Sequence, residues 1–289
     1  MLSDHTVKLA SLNIRGANND VKRNSLFRWM ANNFYDICLL QETYCVESNA
    51  KLFQRGWSGD ILHSFSNSCH SRGVCIILRK RFKYNLMSYH TDKYGRIILI
   101  NISVNDKILT IINIYAPCTM SERMLFFDQV TEFINSYAAS KENLLIAGDF
   151  NCALQKVDRT SGITDKSGLS VYNLMDYFAS CDIWRSLHPN EISYTYIDPS
   201  FRQIHSRIDM ILCSKTLKPY VASCSINQAP SPDHKSVDIT ITFRNNNRGN
   251  GYWKMNNTIL QHKEYQENIV NIFNDVVTEY SDYIPVQLL

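Results

Sequence analysis

Leu144-Leu145-Ile146-Ala147-Gly148-Asp149-Phe150-Asn151, LLIAGDFN, is the stretch whose reading settles the architecture. Four consecutive apolar residues are too few for a helix and suit a buried strand. Gly148 lets the backbone turn sharply or pass close to a neighbour. If the strand runs on, Asp149 and Asn151 face one way and Phe150 the other. Asp and Asn are ordinary turn formers at strand ends. As chemistry, the carboxylate can take a proton from water and the carboxamide can hold water or an anionic oxygen.

Working outward, similar apolar runs recur. Residues 7–14, 36–41, 60–65, 73–78, 96–104 and 107–115 read as strands before the central one. Those at 193–197, 207–213, 221–228 and 237–243 follow it. Asn105-Asp106 is a hairpin turn between two of them. Helices are fewer. Asp20 is placed to cap one through Asn32, with Leu26, Trp29 and Met30 at helical spacing. A short one surrounds 51–55. A third starts at Ser121 and puts Leu125, Phe126, Val130, Phe133, Ile134 and Tyr137 on one face. A fourth covers 168–178, after a polar loop at 157–166. Strands often follow each other directly, so the expected fold is α/β, with two mixed sheets packed face to face and helices outside.

Residues 244–251, RNNNRGNG, break this pattern and read as a linker closing a domain of residues 1–243. Within 252–289, an apolar stripe from Ile259 to Tyr280 predicts an amphipathic helix. Its partner surface is not found in the remaining chain, so the natural protein is expected to continue.

The chain has 289 residues, 45% apolar, with a formal charge of +3, which excludes wholesale disorder and is compatible with nucleic acid. Nine cysteines without a C-x-x-C pair argue against a disulfide framework or structural zinc, and for a reducing compartment. Cys38, Cys75 and Cys213 sit in apolar runs as small hydrophobes. The N-terminus lacks a signal peptide's apolar segment, and no run approaches membrane-spanning length.

Several strands end in polar residues: Asn13, Glu42, Tyr115, Asp149 with Asn151, Thr195, Asp209, and Asp233 with His234. Each has a structural explanation; Asp209, for instance, could pair with Arg207. Together they hold what phosphodiester cleavage needs: carboxylates for a hard cation, a base, amides and hydroxyls for phosphate oxygens, and an imidazole.

LQET (40–43), NIYAP (113–117), GDFN (148–151), SRIDMIL (206–212) and DH (233–234) resemble, in order, the motifs of the endonuclease/exonuclease/phosphatase family. SYTY at 193–196 and GYWKMNNTIL at 251–260 are similar to one branch, the apurinic-like endonuclease domain of LINE-type non-LTR retrotransposons. The resemblance implies a four-layer, DNase-I-like α/β sandwich of two packed mixed β-sheets flanked by helices. It implies Glu42 as main metal ligand, with Asn13 and Asp233 beside the metal. Asp149 would activate water, Asn151 orient water and phosphate, and Tyr115 contact phosphate. His234 would bind the scissile phosphate with Asp209 as its partner, and Thr195 would lie near the substrate backbone. The cofactor would be Mg²⁺, with Mn²⁺ an alternative. Mg²⁺ prefers oxygen ligands and keeps several waters, which suits this residue set.

Two positions depart from the family's pattern. Arg15 stands where Asp or Asn is usual, so it either repels the metal or points to a phosphate. Pro232 stands where the retrotransposon branch has Ser. Arg79, Lys80 and Arg81 form a basic run suited to DNA, and loops 157–168 and 198–205 could enter a groove. The expected function is a Mg²⁺-dependent nick in double-stranded DNA whose 3′-hydroxyl primes reverse transcription. The domain is expected to be monomeric, nuclear and cytoplasmic, away from membranes, and joined through its helical connector to a downstream reverse transcriptase. The alternatives are a cellular apurinic/apyrimidinic repair endonuclease and a catalytically weakened DNA-binding module.

Overall fold

Alternation of side chains along apolar strands decides the layers of this protein. The computed structural model describes residues 5–198, 204–243 and 261–279. In chain order the strands are β1 (His5–Asn13), β2 (Ile37–Gln41), β3 (Ile61–Ser64), β4 (Val74–Leu78), β5 (Asn85–Thr91), β6 (Ile97–Val104) and β7 (Lys107–Tyr115). Then come β8 (Leu144–Asp149), β9 (Ser180–Asp182), β10 (Tyr196–Ile197), β11 (His205–Ser206), β12 (Asp209–Ser214), β13 (Val221–Asn227) and β14 (Ser236–Phe243). The helices are α1 (Asp20–Asn32), α2 (Ala50–Gln54), α3 (Met120–Tyr137), α4 (Gly168–Tyr177), α5 (Ile183–Leu187) and α6 (Lys263–Glu279).

One sheet has the order β13-β14-β1-β2-β4-β3, the other β5-β6-β7-β8-β12-β9. Leu9, Leu39, Ile111 and Leu145 point into the core between the sheets. Their chain neighbours Ala10 and Leu40 point out to Leu26, Phe27 and Met30 of α1. Ile112 and Ile146 point the other way, to Phe127 and Val130 of α3 and Leu174 of α4. A strand buried on both faces is apolar at every position, which is why these runs are continuous rather than alternating. The result is the expected four-layer α/β sandwich.

The two sheets repeat one device. In each, a parallel pair ends at the same rim: Asn13 lies opposite Gln41, and Tyr115 opposite Asp149. In each, an antiparallel neighbour starts there: β14 beside β1, and β12 beside β8 with Asp209 opposite Asp149. Asn105 and Asp106 both take positive φ, closing the β6–β7 hairpin with the tight turn their types favour.

Some expectations change. Asn19, not Asp20, caps α1 through the amides of Val21 and Lys22. On α3, Phe127 is buried while Leu125 is 66% exposed. Adjacent helical residues differ by about 100°, so a face centred on Phe126 and Val130 takes Phe127 and rejects Leu125. The expected strand at 193–197 shrinks to β10. Asp158, in the supposed surface loop, is fully buried on Arg207 and Arg185. Arg207 therefore pairs with Asp158 and Asp182, not with Asp209.

The chain divides into two compact units, Met1–Arg244 and Asn245–Leu289. The linker at 244–251 and the segment at 251–260 lie outside the described residues. In the second unit α6 carries exposed Ile269, Ile272 and Phe273. Among the described residues no helix is long and apolar enough to cross a membrane.

Candidate active site

Because both parallel pairs end at one rim, polar residues far apart in sequence meet there. Asn13 links the two sheets: its Nδ2 donates to Glu42 Oε1 and to Asp149 Oδ2, each at 3.0 Å. Glu42 sits at φ +51°, a conformation that aims it back over the rim and is uncommon for L-residues. Its Oε2 accepts from the Tyr44 hydroxyl at 2.7 Å. Tyr115, expected to contact phosphate, lies behind Glu42, nearly buried and not in the cleft lining; burial and the Glu42 charge raise its phenol well above the usual range.

Asp149 and Asn151 do face the same cleft, but strand alternation is not the reason. β8 ends at Asp149, and Asn151 turns at φ +52° with its amide donating to Asp149 Oδ1 at 2.8 Å. Asn151 Nδ2 donates to the Ala116 carbonyl at 2.8 Å, anchoring it to the end of β7. Phe150 points away and stacks on Phe127.

His234 Nδ1 lies 2.9 Å from Asp209 Oδ2. Burial alone would pull its pKa down, but the Asp209 carboxylate and hydrogen bond outweigh it and raise it to about 9. The imidazole is thus cationic at neutral pH and held in one orientation. Burial, then the neighbouring Asp209, push the Asp149 carboxyl up to about 7 despite the opposing charge of His234.

Arg15 is drawn into the site by charge. Its guanidinium pairs with Asp233 Oδ2, and that carboxylate raises its pKa. A cleft of about 600 Å³ opens over these groups, lined by Arg15, Glu42, Asp149, Asn151, Asp233 and His234. Pro232 is exposed beside it.

Four other expected substrate contacts fall elsewhere. Thr195 is fully buried; its hydroxyl accepts from the amides of Ile208 and Asp209 and so braces the His234 partner instead of reaching the cleft. Arg79, Lys80 and Arg81 follow β4, which runs antiparallel to β2 with Leu78 opposite Ile37. As β2 ends at the site, β4 ends at the far rim, so this basic run is not part of the cleft. The Arg79 guanidinium lies over the Phe34 ring there.

The sequence reading also missed participants. Tyr44, two residues past Glu42, orients the carboxylate. Gln41 and Asn113, which stand in the LQET and NIYAP motifs without an expected role, meet at 2.7 Å between the sheets. An amide in a continuous apolar run is the signal that could have exposed them. Arg159 lines the cleft and is held by Asp165.

The donor set fits a hard divalent cation. Four carboxylates, Glu42, Asp149, Asp209 and Asp233, face the cations Arg15 and His234, with Lys22 at the rim and Arg159 already paired with Asp165. Asp233 Oδ1 is buried without a hydrogen-bond partner among the described residues. Asp149, Asp209 and His234 also bring ligand atoms within 4.8 Å of one another, but a cationic His234 does not ligate, so the metal reading rests on Glu42 and Asp233. Oxygen donors dominate the remainder, which favours Mg²⁺-like over thiophilic metals.

Residues 10–242 match the Endonuclease/Exonuclease/phosphatase family. The chain is 26% identical over 267 residues to a Transposon TX1 uncharacterized 149 kDa protein of Xenopus laevis, covering 91% of this chain and 20% of that protein. It therefore spans about a fifth of the length of that curated relative. Among solved structures it resembles the AP endonuclease LMAP of Leishmania major (TM-score 0.69, 17% identity, 83% of this chain and 88% of that one). It also resembles the endonuclease domain of TRAS1, a telomere-specific non-LTR retrotransposon (TM-score 0.62, 13% identity, 82% and 98%).

Proposed function

The chain belongs to the Endonuclease/Exonuclease/phosphatase family, enzymes that hydrolyse phosphoesters, and from that premise we propose that it nicks double-stranded DNA as the endonuclease of a non-LTR retrotransposon. The observation that carries the reading is the meeting of Glu42, Asp149, Asn151 and the His234–Asp209 pair at one cleft. Asp149, in its ionised form, takes the proton of the attacking water. Cationic His234 faces the charge that develops on the phosphoryl oxygens, and Asp209 keeps it oriented. Asn151, fixed by Ala116, orients water and phosphate. Tyr115 supports Glu42 from behind. Glu42 and Asp233, with Asn13 beside them, would hold Mg²⁺, which would supply charge neutralisation at the phosphate.

The similarity to the TX1 protein supports the retrotransposon assignment. On this reading the products carry 3′-hydroxyl and 5′-phosphate ends, and the hydroxyl primes a reverse transcriptase in the same polypeptide. The protein then works as a monomeric domain on nuclear DNA after synthesis in the cytoplasm. The likeness to an AP endonuclease favours a second reading, repair at abasic sites. Duplexes with and without one abasic site separate the two, a strong abasic preference favouring repair.

Supercoiled-plasmid nicking tests the assignment. Asp149→Asn should slow nicking by about 10²–10⁴-fold, the usual contribution of a positioned base. His234→Ala should cost about 10²–10³-fold. Circular dichroism should remain that of the parent. Full nicking by the folded double variant would refute the assignment.

A further inference from the structure

Arg15 breaks the family pattern at the place where its charge matters most, and the geometry around it is built. Its amide donates to Asn13 Oδ1 at 3.1 Å, and its carbonyl accepts from Lys22 Nζ at 3.0 Å. At φ +48° the backbone is held so that the side chain leaves at the cleft mouth. The pair it makes with Asp233 is lopsided: the Arg15 side chain is 51% exposed and that of Asp233 is 3% exposed. Asp233 has nowhere to go, whereas the guanidinium can swing into solvent without leaving the cleft. Asp233 Oδ1 is buried without a partner among the described residues, which leaves this carboxylate only half satisfied by Arg15.

We propose that Arg15 is an exchangeable counter-ion of Asp233: a divalent cation displaces it, and the released guanidinium is then presented to a substrate phosphate. This rests on the metal-site reading above. Arg15 and the cation compete for one buried carboxylate, so metal affinity is lowered by the fraction of molecules in which the pair is closed. A guanidinium freed in a cleft that also holds Asp149 and His234 meets the phosphate bidentately, as Lys could not. The residue thus couples occupation of the metal site to capture of the phosphate.

The test uses the full 289-residue chain. Mn²⁺ is titrated calorimetrically into the parent, Arg15→Gln and Arg15→Lys, and plasmid nicking is measured at saturating metal. Arg15→Gln should bind Mn²⁺ about tenfold more tightly, with a larger Mn²⁺-induced rise in melting temperature. Its KM should rise about tenfold with kcat little changed. Arg15→Lys keeps the charge, so it should retain parental Mn²⁺ affinity while losing bidentate phosphate capture. If the parent binds Mn²⁺ and Arg15→Gln binds it no more tightly, the exchange is overturned and the metal site stands. Tighter binding with unchanged KM overturns the phosphate role. A parent that gives no Mn²⁺ heat or thermal shift overturns the metal site, and the exchange with it.

Discussion

Asp149 is a fully buried carboxyl beside a second one, Asp209. Burial and Asp209 lift its carboxyl to about 7, so near neutrality the group without metal is about half protonated. Its folded value lies above the unfolded one, so between the two the native state binds more protons. Its contribution to stability therefore falls as pH rises toward about 7. A divalent cation favours the ionised form, and binding must expel the proton. Calorimetry with Mg²⁺ at about pH 6.5, in buffers of different ionisation enthalpy, should show release of a large fraction of one proton, shrinking by about pH 8.5. Heats independent of the buffer would contradict the shift. Asp149 and Glu42 were legible in the sequence because each follows an apolar run that fixes where it emerges, and His234 through the DH motif ahead of the strand at 237–243. The partners of Glu42 and Asp233, namely Tyr44 and Arg15, were not, because each reaches its carboxylate from a residue with positive φ.

β8 shows how an element delivers a residue. Gly148 lies at φ +146°, and a Cβ there would stand 1.9 Å from the Ile114 carbonyl oxygen of β7. The glycine thus lets two parallel strands close up just before Asp149. Gly148→Ala should cost roughly 3 kcal/mol or more, since both the backbone conformation and the contact are lost. Urea unfolding reads the change, and a loss under about 1 kcal/mol would mean the strand relaxes freely. The apolar runs made the strands readable, and LLIAG also signalled close approach. Strand direction was not readable. The basic run at 79–81 looked available to DNA until the antiparallel pairing of β4 with β2 carried it to the opposite rim. The face of α3 was likewise ambiguous by one residue, which only its packing on β6, β7 and β8 resolved.

For the whole molecule, the family match ends at residue 242 and the first compact unit ends at Arg244. A chain stopped after Phe243 should therefore fold and nick within about twofold of the parent rate, since a domain with its own core folds alone. Thermal melting and plasmid nicking check this; loss of cooperative melting would place part of the core beyond that boundary. The repeated device of the two sheets, a parallel pair meeting an antiparallel neighbour, is what makes one rim the site. Strand ends belonging to six different stretches of chain, at residues 13, 42, 115, 149–151, 209 and 233–234, would otherwise scatter their polar residues over the surface.

By itself the sequence determined that this chain forms doubly buried strands with outer helices, and which acids and imidazole stand at their ends. Those are local matters: hydrophobic runs, period and turn chemistry act over a few residues. Tertiary structure alone decided which ends share a rim, that Thr195 braces instead of binds, that Arg207 serves Asp158, and that Arg15 neutralises Asp233. Pairing of charges depends on distance through space, and burial sets its strength. Neither quantity is written in the order of the residues.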